Sequence, residues 1–485
     1  MRKVLYPEQV DALKFLTENT NVINCSGTGT GKTLVTLTAV QHILATDPKA
    51  VCFITCPKAA NSIFKREMAG LGLPLTIVTA EERSVIRGVR ICLFNYSKYG
   101  DMLGYLSRCV NAGYKILGVF DEVHTLASAS SQQAKQIRRH RHLFWWVIGC
   151  TATPLLNDLE GTWRIVNFIQ PGVLGSLSWF QKKYLIRRDR QMTVKGKPIV
   201  FKEVVGHRDL DDLAVRLNMM SVAIRRQYTI HNHFYDCTIT PAEMADYREA
   251  VKGIINVQEE EKTREWSARL HDLQKVVDGS HERMTAIGES KVKLLVATLQ
   301  EILARNEGAL VYTEYEDTYQ MLGSRVEQEK RKGDLPYNRL FYITGKVSTA
   351  DRVRVEQQLA AGDVVILTRA GCQSINLQGV NNVVFYSIPF ALEWVIQCVG
   401  RVARIDTKYT EQHVYYLSVA GTIDEYKRRM MEAHTYVIES VFGKEPNLPS
   451  IREADAKSFE QLRQVLKREY LWKFREQRFH TYAKV

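Results

Sequence analysis

Residues 22–33 read VINCSGTGTGKT, a glycine-rich turn between a short apolar strand and a helical pattern that begins at Lys32. Phosphate binding needs this order, because glycines let backbone N–H groups approach the anion and the helix points its positive end at it. Lys32 adds a point charge, and Thr33 is the expected hydroxyl ligand of Mg²⁺. Ser26 stands where the strict G-x-x-x-x-G-K-[ST] pattern has its first glycine. The sequence therefore predicts an ATP-binding loop made of Ser26, Gly27, Thr28, Gly29, Thr30, Gly31, Lys32 and Thr33.

A second apolar strand, in ILGVFDEVHTL at 116–126, places Asp121 and Glu122 at the carboxyl end of a predicted sheet. Ligands of open α/β sheets bind at that edge. Asp121 is expected to hold Mg²⁺ through water, and Glu122 to polarise the attacking water. Since the two carboxylates follow the phosphate-binding loop by about one half-domain, we predict that both motifs serve one nucleotide site.

Short apolar runs alternate with helix-length amphipathic segments in two separate parts of the chain. The first part extends from Asn21 to Ile148, and the second covers about residues 290–440. Such runs are typical of parallel strands that helices cover on both faces. The expected fold class is therefore α/β, with two parallel-sheet domains and a cleft between them.

The segment between the two parts is dominated by long charged helical patterns. Before them, alternating apolar residues at 191–206 flank Gly196 and predict a β-hairpin. We expect four regions: a first lobe at 1–180, a hairpin and helical insert at 181–289, a second lobe at 290–440 and a basic aromatic C-terminal extension at 441–485.

The composition, with 45% hydrophobic and 25% charged residues, is that of a globular protein. A formal net charge of +13 favours a polyanionic partner. The longest apolar runs are of strand length, far below the roughly 20 residues that cross a bilayer, and the N-terminus lacks the pattern of a secretory signal. The nine cysteines form no C-x2-C pairs, which disfavours a zinc site. We expect a cytoplasmic protein of a bacterial or phage-infected cell, with a nuclear location as the alternative.

The order of the motifs resembles that of superfamily 2 helicases once Thr151, Ala152 and Thr153 are added. This TAT sequence looks like the third motif of that superfamily, which couples the ATP site to the nucleic-acid site. The continuation GCTATPLLNDLEGTWRIVNFIQPG is similar to the Swi/Snf branch, in which a TGTP-x-x-N turn precedes a helix. The resemblance covers about residues 5–440 and implies two RecA-like lobes that bind ATP between them.

In the second lobe, Gln397, Gly400, Arg401 and Arg404 match the Q-x-x-G-R-x-x-R motif of the same superfamily. The resemblance implies that the arginines reach across the cleft to the γ-phosphate. Guanidinium suits this role because it is always charged and offers several donors. Residues 372–374 read CQS where the branch has a glycine-rich stretch, so the exact subfamily stays open.

Weaker matches complete the order of motifs. Gln9 is the candidate adenine-reading residue, in a segment that resembles the L-R-P-Y-Q motif. Six further positions resemble the nucleic-acid-contacting motifs of the two lobes. These positions are Pro57, Lys58, Asn95, Tyr96, Gly345 and Thr368.

The resemblance implies an ATP- and Mg²⁺-dependent motor that contacts DNA, duplex or branched, mainly at the phosphate backbone. The compact chain favours phage or bacterial DNA repair, recombination or replication, with branch migration or fork remodelling as the activity. Three alternatives remain open from the sequence: a strand-separating DNA or RNA helicase, a motor subunit of a larger complex, and a catalytically silent scaffold. RNA is not excluded as the partner.

Two accessory features have two interpretations each. The hairpin around Gly196 is either a wedge at a DNA junction or a structural ornament. The basic tail at 467–484 interleaves arginine and lysine with aromatic residues, which suits either nucleic-acid contact or packing on the second lobe.

Overall fold

The structure is a computed structural model. It describes residues 4–27, 29–73, 90–152, 159–194, 197–224, 229–255, 263–281, 288–372, 375–389, 392–404, 407–429 and 431. Thr28, Thr153, Gly196 and the tail at 467–484, all singled out by the sequence, lie outside these residues.

The first half of the chain carries the strands of the first sheet and of a hairpin. The strands are β1 (Val22–Asn24), β2 (Ala50–Cys56), β3 (Ile91–Asn95), β4 (Lys115–Asp121), β5 (Trp146–Cys150), β6 (Leu185–Val194), β7 (Lys197–His207) and β8 (Ser221–Val222). The helices are α1 (Pro7–Glu18), α2 (Lys32–Thr46), α3 (Asn61–Gly70), α4 (Tyr99–Asn111), α5 (Gln132–Arg139), α6 (Leu159–Ile169), α7 (Leu177–Tyr184) and α8 (Leu210–Met219).

The first sheet is parallel and, among the described strands, has the order β3-β2-β4-β5-β1-β8. Helices α1, α2 and α3 pack their apolar side chains on one face, and α4, α5 and α6 pack theirs on the other. Strand β2, AVCFITC, is buried along its whole length for this reason. The phosphate-binding loop and the two carboxylates thus follow β1 and β4 at the same carboxyl edge.

Strands β6 and β7 form an antiparallel pair beside the first sheet. Their register extends from Leu185 opposite His207 to Val194 opposite Lys197, with an irregularity at Ile186 and Arg187. Leu185 is buried in the first core, and the Arg187 guanidinium pairs with Glu160 of α6. The base of the hairpin predicted around Gly196 is therefore anchored to the first lobe.

The second half of the chain carries the second sheet. Its strands are β9 (Thr229–Cys237), β10 (Ala309–Thr313), β11 (Leu340–Ile343), β12 (Val364–Thr368), β13 (Asn382–Phe385) and β14 (Glu411–Val419). The helices are α9 (Pro241–Ile255), α10 (Thr263–Asp278), α11 (Glu289–Ala304), α12 (Glu316–Lys332), α13 (Thr349–Gln358) and α14 (Leu392–Val402).

The described strands of the second sheet are also parallel, in the order β11-β12-β10-β13-β14-β9. Helices α11 and α12 cover one face, and α13 and α14 contribute to the core on the other. The predicted α/β architecture of two RecA-like parallel-sheet lobes is confirmed.

The segment at 181–289 contains the predicted hairpin and helices, and it also contributes a strand to each sheet. Ser221–Val222 pairs with β1, and Thr229–Cys237 pairs with β14 at the edge of the second sheet. An edge strand needs fewer apolar residues than a central one, and most side chains of β9 are only half-buried. Its sequence, TIHNHFYDC, therefore lacks the apolar run by which the central strands are predicted.

A buried ionic network lies at the carboxyl edge of the second sheet. Lys291 of α11 donates from Nζ to Asp278 Oδ1 at 2.7 Å and to Asp424 Oδ2 at 2.6 Å, and all three side chains are fully buried. Gln274 Nε2 donates to both carboxylates, at 2.9 and 2.8 Å, and Ser387 Oγ donates to Asp278 at 2.6 Å. The network ties α10 and α11 to the chain that follows β13 and β14.

Across the part of the chain that the structure describes, no helix is both long and apolar enough to cross a membrane.

Candidate nucleotide site and nucleic-acid interface

The phosphate-binding loop leaves β1 and enters α2 at Lys32, as the sequence predicts. Gly29 and Gly31 have φ angles of +79° and +82°, in the left-handed region that favours glycine. Lys32 Nζ donates to the carbonyl oxygen of Ser26 at 3.2 Å, so the ammonium group lies over the loop. The loop thus brings a positive charge and a helix N-terminus to one point, the arrangement that binds phosphate.

Ser26 replaces the first glycine of the strict loop pattern, and its side chain explains the replacement. Its Oγ and backbone N both donate to Asn24 Oδ1, at 2.5 and 3.1 Å. The same Oγ accepts from the backbone N of Ile224 at 3.0 Å. A glycine would lose the two contacts made through Oγ, so the serine ties the loop to the end of the first lobe. Asn24 was not predicted, although a polar residue ending a buried strand is a usable signal.

Gln9 is buried and holds the loop from the side of α1. Its Nε2 donates to the carbonyl oxygen of Thr30 at 2.9 Å, and its Oε1 accepts from the backbone N of Tyr6 at 3.0 Å. A Cβ on Gly31 would lie 2.3 Å from this Nε2. In this structure one end of the amide positions the loop and the other fixes the start of α1, and adenine reading by Gln9 stays a prediction.

Asp121 and Glu122 lie at the end of β4, next to the loop. Burial and the neighbouring charge of Glu122 raise the pKa of Asp121 to about 7, against the charges of Lys32 and His124. Burial also raises the pKa of Glu122, but a hydrogen bond from His124 and the charges of Lys32, His124 and Arg401 outweigh it and hold that pKa at about 2. Glu122 is therefore the carboxylate that stays ionised, whereas burial and the charge of Glu122 disfavour ionisation of Asp121.

His124 connects the carboxylates to the third motif. Its Nδ1 lies 3.3 Å from Glu122 Oε2 and 3.3 Å from Thr151 Oγ1. Thr151 is fully buried and its backbone N donates to the carbonyl oxygen of Asn24 at 3.1 Å; Ala152 follows it. No role was predicted for this histidine of the DEVH motif. Its contacts make it the physical link between Glu122 and the predicted coupling segment.

Arg401 and Arg404 of the second lobe approach the first-lobe site. The charge of Arg401 lowers the pKa of Glu122, and Arg404 lies so close to the loop that a Cβ on Gly29 would be 2.8 Å from its Cγ. Gln397, half-buried, precedes Arg401 by one turn of α14. The structure thus brings the predicted catalytic groups of both lobes to one cleft.

Cys372, which departs from the family pattern, lies with Cys398 close to Arg401. A hydrogen bond from Cys398 lowers the pKa of the Cys372 thiol against the effect of burial, and the charge of Arg401 lowers it further. Both thiols are buried in the second core. Cys398 lies on α14, three residues before Arg401, and Cys372 contacts it from the chain that follows β12.

Gly29→Ala should lower the rate of ATP hydrolysis by about 100-fold, since displacing a catalytic group by about 1 Å has an effect of that size. The new Cβ would lie 2.8 Å from Arg404 Cγ and 3.0 Å from Ala403 O, so the lobes must shift apart. Steady-state ATPase assays test this. Gly72→Ala is the matched control, because Gly72 has a φ of +66° but nothing within 4 Å of the new methyl group. Equal activity in the two variants would contradict the cleft contact.

The six predicted nucleic-acid-contacting residues divide into accessible and buried positions. Lys58 and Gly345 are exposed, and Pro57 and Asn95 are half-buried. Tyr96 is only 8% exposed and its hydroxyl donates to the carbonyl oxygen of Asp121 at 2.7 Å. Thr368 is 4% exposed, with its Oγ1 accepting from the backbone N of Gly371 at 3.3 Å. Neither of these two side chains is presented to a ligand; each positions its neighbours instead.

Three exposed cations that were not predicted from the sequence lie beside the predicted nucleic-acid-contacting positions. Lys98, Lys346 and Arg369 follow β3, β11 and β12, and their side chains are 59%, 86% and 49% exposed. The available signal was a basic residue one to three positions after a predicted contact. A phosphate backbone is most readily bound by accessible charges of this kind.

Two parallel-sheet lobes with a phosphate-binding loop on one and facing arginines on the other define the class of two-lobed nucleoside-triphosphate-binding proteins. Residues 8–275 match the SNF2-related domain, and residues 290–406 match the helicase conserved C-terminal domain. The chain belongs to the SNF2-related family.

The chain matches only part of the length of each of these curated relatives. The chain is 23% identical over 357 residues to "Uncharacterized ATP-dependent helicase YqhH" of Bacillus subtilis, covering 67% of this chain and 60% of the relative. It is 24% identical over 339 residues to "DNA repair and recombination protein RAD54B" of Gallus gallus, covering 58% of this chain and 35% of the relative. The solved Sulfolobus solfataricus SWI2/SNF2 ATPase core in complex with dsDNA is similar with a TM-score of 0.39 and 18% identity, covering 91% of this chain and 94% of that one.

Proposed function

We propose that this protein hydrolyses ATP when nucleic acid is bound and uses the cycle to translocate along duplex or branched DNA. The observation that supports it best is the meeting of Lys32, Asp121 and Glu122 with Arg401 and Arg404 at one cleft. A closed cleft of this composition has the charges that phosphoryl transfer needs on both sides of the γ-phosphate.

Each group has a distinct part in the proposed reaction. Lys32 and the loop N–H groups hold the phosphates, and Glu122, ionised and oriented by His124, positions the water that attacks the γ-phosphorus. The bond between the γ-phosphorus and the bridging oxygen breaks, and ADP and phosphate leave. Arg401 and Arg404 offset negative charge on the transferring group. Because these arginines belong to the second lobe, hydrolysis is coupled to the separation of the lobes.

The residues at the end of β4 fit the Mg²⁺ that such chemistry uses. The carboxyl of Asp121 is buried, and the negative charge beside it raises its pKa to about 7, an imbalance that a divalent cation would correct. Thr33, in the first turn of α2, and Asp121 would hold the ion. When bound, it would neutralise charge on the β- and γ-phosphates.

DNA as the partner is supported by the basic charge and by the exposed cations at the carboxyl edges of both sheets. Lys58 and Lys98 follow strands of the first lobe, and Lys346 and Arg369 follow strands of the second. Contacts to phosphate rather than to bases predict little sequence specificity. The relative named for DNA repair and recombination favours a role in those processes, with junction or fork remodelling as the specific activity.

The ATPase rate with different nucleic acids tests the proposal. We expect linear duplex or four-way junction DNA to stimulate wild-type hydrolysis more than single-stranded DNA or RNA does, because the motor tracks a duplex backbone. Lys32→Ala should abolish the stimulated rate with every nucleic acid. Lys332→Ala, which removes an exposed lysine of α12, is the control and should retain it.

Other outcomes of the same assay separate the alternatives. Stimulation confined to single strands or RNA would indicate a strand-separating helicase. Slow hydrolysis with every nucleic acid would indicate a subunit that needs its complex. Undiminished turnover in Lys32→Ala would contradict the assigned site.

A further inference from the structure

The exposed Arg369 lies over the ring of the half-buried Trp394 at the carboxyl edge of the second sheet. The guanidinium carbon of Arg369 lies 4.1 Å from the centroid of the Trp394 ring. Arg369 directly follows β12, and Trp394 lies in the first turn of α14. The side chain of Arg369 is 49% exposed, so part of it is accessible to a ligand.

The Arg369 guanidinium lies near the carboxylate of Glu314, which has a second and closer cation in Lys427. Glu314, 8% exposed, lies 3.9 Å from Arg369 Nη1 and 3.3 Å from the Nζ of Lys427, which is fully buried. Since Lys427 is the closer cation, the charge of Arg369 remains available to an outside anion. Lys346 follows β11, the strand next to β12, so a second exposed cation lies at the same edge.

We propose that Arg369 and Trp394 bind an unpaired nucleotide of the DNA, with the guanidinium on its phosphate and the indole stacked on its base. Aromatic rings and guanidinium planes are the groups on which unstacked bases pack. This inference rests on the proposed function and narrows its substrate to DNA that carries unpaired bases, such as a gap, a fork or a junction.

The position of the pair also relates the nucleotide to the catalytic cleft. Trp394 and Arg401 are seven residues apart on α14, which is two turns and about 10 Å along one side of the helix. A base stacked on Trp394 would therefore contact the same helix, α14, that places Arg401 near Glu122.

Equilibrium binding to two probes tests the inference: a blunt 30-base-pair duplex and the same duplex with a ten-nucleotide gap. Trp394→Leu should weaken binding to the gapped probe about tenfold, within the range for loss of one stacked base, and leave the blunt duplex within about twofold. Arg369→Ala should weaken both and reduce the slope of log affinity against log salt by about one, as loss of one phosphate contact does.

Trp145→Leu is the matched control, because Trp145 is 41% exposed and carries Lys115 4.9 Å from its ring, but precedes β5 at the opposite edge of the first sheet. It should bind both probes as the wild type does. Trp394→Phe keeps a stacking ring and should retain most of the gap preference, which guards against a folding defect in Trp394→Leu.

Two results would overturn the inference: unchanged gapped binding by Trp394→Leu, or equal losses on the two probes. Neither result bears on the proposed function, which is tested by the stimulation of wild-type hydrolysis by duplex or junction DNA and by its loss in Lys32→Ala.

Discussion

Glu122→Gln should bind ATP and nucleic acid but hydrolyse ATP at least about 100-fold more slowly, because loss of a positioned acid–base group costs about 10² to 10⁴ in rate. The hydrogen bond from His124 and the charges of Lys32, His124 and Arg401 keep this carboxylate ionised, with a pKa held at about 2. Glutamine retains the shape and loses the charge. Single-turnover hydrolysis, together with nucleotide binding, measures the two steps separately.

Glu289→Gln is the matched control for this change, since Glu289 pairs with Arg325 at the surface of the second lobe and is 51% exposed. It should hydrolyse ATP as the wild type does. If Glu122→Gln turned over normally, the nucleophilic water would have to be positioned by another group, and the assignment of the acidic motif would be wrong.

Lys291→Met should lower the free energy of unfolding by about 3 to 5 kcal/mol, the usual effect of removing one partner of a buried ion pair. The change leaves the carboxylates of Asp278 and Asp424 fully buried without their shared cation. Urea unfolding, followed by a probe of the second lobe, measures it. Lys332→Met removes the same charge from a solvent-exposed pair with Glu329 and should leave the free energy of unfolding nearly unchanged.

The deficit of Lys291→Met should grow with pH. Burial raises the pKa of Asp278 and the charge of Lys291 lowers it, so loss of the lysine raises that pKa further. The folded variant then binds more protons than its unfolded chain above the ordinary aspartate pKa of 3.8, and its stability falls as pH rises through that region. The difference from wild type should thus be smaller at pH 5 than at pH 8. A difference that is independent of pH would contradict the buried-carboxylate explanation.

Strand prediction succeeded or failed according to burial. The central strands, such as β2 and β12, are covered on both faces, so their sequences are continuous apolar runs that can be recognised directly. Strand β9 lies at an edge, where polar residues are tolerated. Its histidines and tyrosine interrupt any apolar run, so the strand was not predicted from the sequence. Its membership of the second sheet depends on the nine register pairs that it forms with β14.

The candidate site shows the same division. Motif order predicted that Lys32, Asp121, Glu122, Arg401 and Arg404 would act together, and the folded chain brings them to one cleft. Motif order did not predict that the Tyr96 hydroxyl would bond to the backbone of Asp121, because accessibility is a property of the folded surface and not of a local pattern.

By itself, the sequence determined the two α/β lobes, the phosphate-binding loop and the identity of the charged groups, because each is written in local patterns of glycine, apolar and charged residues. Only the tertiary structure decided that His124 joins Glu122 to Thr151, that Lys291 neutralises two buried carboxylates, and that Arg369 stacks on Trp394. The reason is physical: these pairs are formed by residues from different elements, and their energies depend on distances and burial that exist only after the sheets and helices have packed.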